Sequence, residues 1–205
     1  VLALHGLPGS GRDFRWFAPA LQGRVRLIRV DLPGFGESES IDGLDPLAVA
    51  EHLALLLGAL ELDRPLVLGH SFGGPLAVAL AGLLPVRGLA LLASVGLRPH
   101  RGYRSVPVPK LLGPLSGWPL LGPALVSSSQ RAMVRLGFSR HTTPAEVART
   151  LRQLGRFDFA AHAARVRALS VPTMLAWADD DPMVEAEISV ELAAACPEGP
   201  RLAFK

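Results

Sequence analysis

The sequence contains almost no cysteine and very little lysine. Cys196 is the only cysteine among 205 residues, so these residues supply neither an intramolecular disulfide nor a cysteine-based metal site. We expect Cys196 to fill a small space in the core. The only lysines are Lys110 and Lys205, and arginine supplies the rest of the positive charge behind a formal net charge of +3. Because the arginines are scattered, without a basic run or interleaved aromatics, we expect no nucleic-acid partner.

Uninterrupted hydrophobic runs of membrane-spanning length are also lacking. The apolar stretch Gly73–Leu97 has the length of a transmembrane helix, but Pro75, Pro85, Arg87 and Gly88 interrupt it. A buried helix followed by a buried strand accounts for this stretch better. We therefore expect no integral membrane segment.

No secretory signal is visible, and we expect a cytoplasmic protein. The first residues, Val1–His5, already have the pattern of a strand, and Arg201–Phe204 has the pattern of the start of another. We therefore expect the sequence to be truncated at both ends, without the first strands and the last strand and helix of its fold.

Short β-rich apolar runs alternate with helix-length segments along most of the chain. Hydrophobic residues make up 49% and charged residues 19%, which is typical of a globular domain. The alternation predicts an α/β fold, a mainly parallel sheet with helices on both faces. The predicted strands are Val1–His5, Val25–Val30, Pro65–Gly69, Val86–Ala93 and Val171–Ala178. The predicted helices lie at about 13–21, 45–60, 74–84 and 184–195.

This alternation is interrupted between residues 97 and 169, where no strand is evident. Prolines divide its first half, at Pro107, Pro109, Pro114, Pro119 and Pro123. Its second half is helical, because Thr143-Pro144-Ala145-Glu146 combines a threonine N-cap, proline at the first helical position and a glutamate that completes a capping box. We interpret 97–169 as a helical cap inserted into a core formed by 1–96 and 170–205.

The pentapeptide Gly69-His70-Ser71-Phe72-Gly73 follows a predicted strand and precedes a predicted helix. In that context G-x-S-x-G is typical of a nucleophile elbow, a strained turn that exposes the serine hydroxyl at the carboxyl edge of a sheet. Small residues must flank such a serine, because backbone segments crowd together there. We assign Ser71 as the nucleophile, with Gly69, His70 and Gly73 as parts of the motif.

An acyl-transfer site also needs two backbone N–H groups that stabilise an oxyanion. One is expected from Phe72, the residue after the nucleophile, and the other from the loop that follows the first strand. That loop begins His5-Gly6-Leu7. We choose Leu7 as the second donor, because the glycine before it lets the backbone turn its N–H inward; a plain turn is the equally weighted alternative.

Three motifs in this order resemble the α/β-hydrolase family of capped serine hydrolases of the esterase and lipase kind. They are His5-Gly6, the turn Asp31-Leu32-Pro33-Gly34-Phe35-Gly36-Glu37-Ser38, and the elbow extended to Gly74. The resemblance implies a mainly parallel sheet with helices on both faces and a helical cap over the site. It also implies that His5, Gly6 and His70 orient backbone.

The family's acid usually follows the strand after the cap, in a segment resembling Gly-x-x-Asp-x-x-Val. Ala178-Asp179-Asp180-Asp181-Pro182-Met183-Val184 fits this pattern, with alanine in place of the glycine. Alignment on Val184 makes Asp181 the acid, with Asp180 as the fallback. An alternative is that these aspartates cap the following helix.

A histidine base is missing from the expected place. The triad order of this fold is serine, acid, histidine, and no histidine follows Asp181. His52, His100, His141 and His162 are expected to be surface or packing residues. We therefore expect the histidine to lie beyond Lys205 and the 205-residue chain to be nearly inactive.

The expected substrate is an ester of a small or medium hydrophobic acid, because the insertion is rich in leucine, proline and tryptophan, including Trp118. No cofactor and no metal is required. A carbon–carbon bond hydrolase, a perhydrolase and a non-catalytic binding protein of the same fold remain alternatives, and oligomeric state stays open. A dinucleotide-binding domain is disfavoured, because the glycines of the first loop follow the pattern G-x-x-G-x-G and not G-x-G-x-x-G. Such a domain would also leave the elbow at Ser71 unexplained.

Overall fold

The computed structural model describes residues 1–41, 45–105, 118–135 and 142–205. Its centre is a six-stranded sheet in the order β2-β1-β3-β4-β5-β6, in which every neighbouring pair is parallel. The strands are β1 Leu2–Leu4, β2 Ile28–Val30, β3 Leu66–His70, β4 Gly88–Leu92, β5 Thr173–Ala178 and β6 Arg201–Phe204. The predicted fold class is confirmed.

Eight α-helices surround this sheet in the described ranges. They are α1 Ala18–Leu21, α2 Pro46–Ala59, α3 Gly73–Leu83, α4 Arg101–Ser105, α5 Gly122–Arg135, α6 Pro144–Arg156, α7 Phe159–Arg167 and α8 Ala186–Ala195. The predicted N-cap of α2 is confirmed, since the Asp45 carboxylate accepts a hydrogen bond from Ala48 N at 2.9 Å. The predicted capping box of α6 between Thr143 and Glu146 is confirmed as well.

Two predicted elements near the N-terminus differ in the structure. The second strand begins at Ile28 rather than Val25. The predicted helix over 13–21 is instead a 3-10 helix, Gly11–Arg15, followed by the short α1. Pro19 accounts for the division, because proline lacks an N–H and its ring clashes with the preceding turn of a continuous helix. It is tolerated at the start of α1.

The sheet buries side chains on both of its faces. Successive residues of β1 alternate, with Leu2 and Leu4 in the main hydrophobic cluster and Ala3 in a smaller one on the opposite face. Helix α3 is buried along most of its length and packs against α2. The apolar stretch 73–97 therefore contains α3 and β4, and no helix in the described ranges is long and apolar enough to cross a membrane.

Helices α4 to α7 lie between β4 and β5 in the chain. Four side chains of α5 and α6 form a small hydrophobic cluster of their own: Val126, Met133, Val147 and Leu151. Phe157 and Val166, which follow them, belong instead to the main core. The division into a core and a cap at 97–169 stays a prediction, and Pro107, Pro109, Pro114, Lys110 and His141 lie outside the described residues.

His162 connects α7 to the segment that follows β4. Its side chain is 2% exposed, its ring stands 5.5 Å from that of Phe157, and it donates a hydrogen bond to the Val95 carbonyl. Burial lowers the pKa of His162 to about 4; the bond to Val95 opposes this shift, and Arg165 adds to it. The ring is therefore neutral at physiological pH.

This burial predicts a pH-dependent loss of stability. Between pH 6.5 and 4 the unfolded chain binds a proton at this position and the folded chain does not, so stability falls as pH falls. For His162 alone, the free energy of unfolding should drop by about 2 kcal/mol between about pH 7 and pH 5. Urea unfolding of the chain and of His162→Asn at both pH values measures this drop.

Exposed His52 on α2 supplies the matched control variant, His52→Asn. The drop should be smaller in His162→Asn than in the parent chain, while His52→Asn should follow the parent. An equal drop in all three proteins would contradict the buried neutral state of His162.

Candidate active site

A cavity of about 220 Å³ opens at the carboxyl ends of four parallel strands. Leu7 follows β1, His70 ends β3, Ala93 follows β4 and Asp181 follows β5, and all four residues line the cavity. The described residues that line it are Leu7, His70, Ser71, Phe72, Ala93, Val95, His100, Gly102, Tyr103, Met133, Thr150, Leu154, Asp181, Met183 and Val184. Carboxyl ends of parallel strands are the usual location of ligand sites in open α/β sheets.

Ser71 occupies a strained turn between β3 and α3. Its φ is +51°, a left-handed conformation that is uncommon for a residue with a side chain. Its N–H donates to the Leu92 carbonyl at 2.9 Å, and its carbonyl accepts from Gly74 N and Val95 N at 3.0 and 3.2 Å. The end of β4 and the first turn of α3 therefore fix the Ser71 backbone on both sides.

Glycines make this turn possible by letting backbone segments approach one another. A side chain at Gly69 would collide with the carbonyl oxygen of Gly73, and one at Gly73 would collide with that of Leu4 in β1. At Gly6 an added Cβ would lie 2.8 Å from the Cβ of Ser71. The start of α3 thus sits directly against the end of β1, beside the loop that contains Leu7.

The backbone N–H groups of Leu7 and Phe72 have no hydrogen-bond partner within the described part of the chain. Both residues line the cavity, and Phe72 is the N-cap of α3, where the partial positive charge of a helix is concentrated. A negatively charged oxygen near Ser71 is thereby favoured.

His5 holds the loop that carries Leu7. It is fully buried, its Nδ1 lies 2.7 Å from the Gly6 carbonyl oxygen, and its Nε2 accepts from Leu32 N at 2.9 Å. These partners define a neutral ring with the proton on Nδ1. Burial lowers the pKa of His5, against opposing contributions from the bond to Gly6 and from nearby Asp13 and Asp31.

Asp31 organises the turn that His5 contacts. One carboxylate oxygen accepts from Gly11 N at 2.7 Å and the other from Glu37 N at 2.9 Å. Burial raises the pKa of Asp31, but these two backbone bonds, with His5 and Arg12, lower it overall. The Asp-x-Pro-Gly-x-Gly-x-Ser motif is therefore a scaffold that ties the first and second strand–helix loops together.

Asp181 reaches the cavity from the loop after β5. Its Oδ1 accepts from Met183 N at 2.7 Å and Val184 N at 3.0 Å, and its Oδ2 has no partner among the described residues. Asp179 and Asp180 are exposed and do not line the cavity. None of the three aspartates is the N-cap of α8.

The N-cap residue of α8 is Glu185, without a side-chain cap bond. The helix-capping alternative for the three aspartates therefore does not describe this structure. Their loop instead directs one carboxylate toward the cavity.

Two histidines line the cavity beside Ser71. His70 is half-buried, and burial lowers its pKa against opposing contributions from Asp13 and Asp181. His100 is buried, and sequence reasoning missed it as a cavity residue because it lies in the segment expected to form the cap. Nothing in the local pattern distinguishes it; only the fold brings it to the cavity.

The remaining sequence-based candidates lie elsewhere. His52 is exposed and bonds to Ala48 O, and Trp118 is 56% exposed and does not line the cavity. The apolar wall comes instead from residues such as Met133 and Leu154. Among the residues with described positions, no cluster of three His, Cys, Asp or Glu side chains could hold a metal ion.

A fully buried residue of the wall also carries an unpaired polar group. Thr150 of α6 is fully buried, and its hydroxyl has no hydrogen-bond partner within the described chain. An unsatisfied buried hydroxyl costs about 1–3 kcal/mol of stability. A valine, which has the same shape without the hydroxyl, would therefore stabilise the packing of α6 more than Thr150 does.

Comparison with known proteins agrees with this fold. The sequence matches the Alpha/beta hydrolase family over residues 1–202. The magnesium-chelatase 30 kDa subunit of Rhodobacter capsulatus is 30% identical over 218 residues, which cover 96% of this chain and 76% of that protein. The 2-hydroxy-6-oxo-2,4-heptadienoate hydrolase of Pseudomonas putida is 38% identical over 104 residues, 47% of this chain and 38% of that protein.

Solved structures share the architecture over nearly the whole chain. An α/β hydrolase fold protein from Burkholderia ambifaria superposes with a TM-score of 0.75 at 25% identity, over 98% of this chain and 82% of that one. An esterase from Thermogutta terrifontis gives a TM-score of 0.74 at 23% identity, over 99% and 79%. The chain belongs to the α/β hydrolase family.

Two glycines of α3 test the close approach of this helix to β1. Gly73→Ala places a methyl group against the Leu4 carbonyl and should destabilise the fold by about 1–3 kcal/mol. Gly82→Ala, in the same helix but with open space around it, should stabilise by about 0.5–1 kcal/mol. Thermal unfolding of both variants measures the difference, and equal effects at the two positions would contradict the packing described.

Proposed function

We propose that this protein is a serine hydrolase acting on carboxylic esters or related acyl compounds, with Ser71 as its nucleophile. The observation that carries the proposal is the Ser71 backbone, held at φ +51° between β3 and α3 beside the cavity. Such strain costs free energy and persists where the surrounding structure enforces it. Between a strand and a helix it raises a nucleophilic hydroxyl into the site.

The proposed base is a histidine beyond Lys205. The fold orders its triad as serine, acid and histidine, and no histidine follows Asp181 in the sequence. His70 and His100 line the cavity, but His70 sits inside the elbow and His100 donates to a backbone carbonyl. The 205 residues alone should therefore turn over esters very slowly.

The proposed reaction proceeds by two acyl transfers. The histidine takes the proton of Ser71 Oγ as Oγ bonds to the ester carbonyl carbon. The bond from that carbon to the alcohol oxygen then breaks, and the leaving alcohol takes the proton from the imidazolium. Water attacks the acyl-serine in the same way, which releases the acid and restores the hydroxyl. These steps use no cofactor.

In this proposal the Leu7 and Phe72 N–H groups stabilise the oxyanion. Their lack of other partners in the described chain supports this role, as does the position of Phe72 at the start of α3. Asp181 is the proposed acid, since its Oδ2 is available to accept the Nδ1–H of the histidine. The exposed position of Asp180 argues against the fallback.

The cavity supports a small hydrophobic acyl substrate. Its volume of about 220 Å³ is below the roughly 300–1,000 Å³ of drug-sized ligand sites. Its walls include Leu7, Val95, Met133 and Leu154, and the lining residues that the structure describes include no lysine or arginine.

A second candidate is a binding role without catalysis. The relative that spans 96% of this chain is named as a subunit of a magnesium chelatase rather than as a hydrolase. The protein named 2-hydroxy-6-oxo-2,4-heptadienoate hydrolase matches only 47% of the chain. Because of this match, carbon–carbon bond hydrolysis stays an alternative reaction for the same proposed site. A full-length protein without a histidine after Asp181 would favour binding.

Replacing the nucleophile tests the proposal directly. In the full-length protein, Ser71→Ala should lower kcat/KM for p-nitrophenyl butyrate by about 10³-fold or more, because no covalent intermediate can form. Ser127→Ala, an exposed serine of α5, is the control and should match the parent protein. Turnover that survives Ser71→Ala would refute Ser71 as nucleophile.

The choice of acid is tested by neutral isosteres. Asp181→Asn should lower kcat by about 10²–10⁴-fold, because the imidazole loses its orienting carboxylate. Asp180→Asn is the matched control one residue away and should retain most of the activity. The reverse order of the two effects, measured by steady-state kinetics, would move the acid to Asp180.

A further inference from the structure

Two polar side chains of the cavity wall have no part in the proposed chemistry. Thr150 comes from α6, and His100 directly precedes α4. Both line the same cavity as Ser71, among largely apolar neighbours that include Met133 and Leu154. Polar groups in an apolar pocket orient ligands and give them specificity.

Thr150 has an unused hydroxyl. The residue is fully buried, and its Oγ1 has no partner within the described chain. A threonine on a helix commonly bonds back to the preceding turn, but this one does not. Two χ1 rotamers are open to a helical threonine, so the hydroxyl can turn toward a molecule in the cavity. A ligand oxygen would satisfy it.

His100 offers a hydrogen-bond acceptor. Its Nδ1 lies 2.9 Å from the Met183 carbonyl oxygen, which can only accept, so Nδ1 carries the proton. Tyr103 N lies 3.3 Å from the same nitrogen, but it cannot donate to a protonated Nδ1. The remaining nitrogen, Nε2, has no partner among the described residues, and in a neutral ring it accepts.

Burial of the His100 side chain favours this neutral ring. Burial lowers its pKa and Arg104 lowers it further, while the bond to Met183 and the carboxylates of Glu185 and Asp181 oppose the shift. None of the described lining residues is a lysine or an arginine, so these residues bring no permanent positive charge to the cavity, and Asp181 adds a negative one. A carboxylate on the ligand would be repelled there.

We infer that the cavity selects acyl groups bearing an uncharged hydroxyl, whose O–H donates to His100 Nε2 and whose oxygen pairs with the Thr150 hydroxyl. This inference deepens the proposed function and rests on Ser71 being the hydrolytic centre. The substrate class is short hydroxyacyl esters. Thr150 and His100 are then specificity residues for the acyl group.

A binding experiment tests the inference without requiring turnover. The full-length Ser71→Ala protein is titrated calorimetrically with methyl pentanoate and with its 2-, 3- and 4-hydroxy derivatives. The Kd of at least one hydroxy ester should be lower than that of methyl pentanoate by about tenfold or more, because a site that pairs with a hydroxyl discriminates against ligands that lack it. Equal Kd values for all four esters would overturn the inference, whatever the hydrolytic activity.

Side-chain replacements locate the selectivity. Thr150→Val removes the hydroxyl at constant shape, and His100→Asn keeps a donor toward Met183 while removing Nε2. Each replacement should bring the ratio of the Kd of methyl pentanoate to the Kd of the preferred hydroxy ester toward one. Thr150→Ser, which keeps a hydroxyl, should restore the ratio of the parent. Thr142→Val, a half-buried threonine outside the cavity, is the control and should keep the ratio of the parent.

Kinetics separate failure of this inference from failure of the proposed function. Suppose that Ser71→Ala abolishes hydrolysis, but the parent protein has the same kcat/KM for hydroxylated and plain esters. That result would retain the hydrolase and refute the selectivity. A hydroxy preference in binding without Ser71-dependent turnover would retain the selectivity site and refute hydrolysis. A preference that persists in Thr150→Val and His100→Asn would refute the assignment of these two residues.

Discussion

The close approach of α3 to β1 is the constraint on which the site depends. Gly73 places the start of α3 against the Leu4 carbonyl, and Gly69 leaves room for that same turn. Ser71 between them is forced to a positive φ, and its backbone is held by Leu92 at the end of β4 and by Val95 in the loop that follows. The tight packing of the backbone therefore maintains the strain that exposes the hydroxyl.

Around this contact, charged and polar groups serve mainly to hold loops. His5 joins the Leu7 loop to the turn at Asp31, and Asp31 binds the backbone of two further segments. Arg149 of α6 extends the network, since it donates to the Gly34 carbonyl at 2.6 Å. The helical segment above the site is thus anchored to the same turn that positions the first loop.

The sequence predicts the local parts of this structure well because their chemistry is local. Parallel strands appear as short apolar runs, and the Asp45 and Thr143 caps follow from neighbouring residues. Near the N-terminus, Pro19 divided a segment that periodicity alone joined into one helix. Long-range packing was harder to foresee. His100 and Thr150 line the cavity beside Ser71 only through the tertiary fold, while Trp118, expected in the pocket, is exposed.

Covalent labelling of the full-length protein with a fluorophosphonate, followed by peptide mass spectrometry, tests the central claim most directly. Such a probe reports the activated nucleophile itself, independently of the choice of substrate. The account predicts one adduct per chain, on the peptide that contains Ser71. No adduct under conditions that label a known serine hydrolase, or an adduct on another residue, would contradict it.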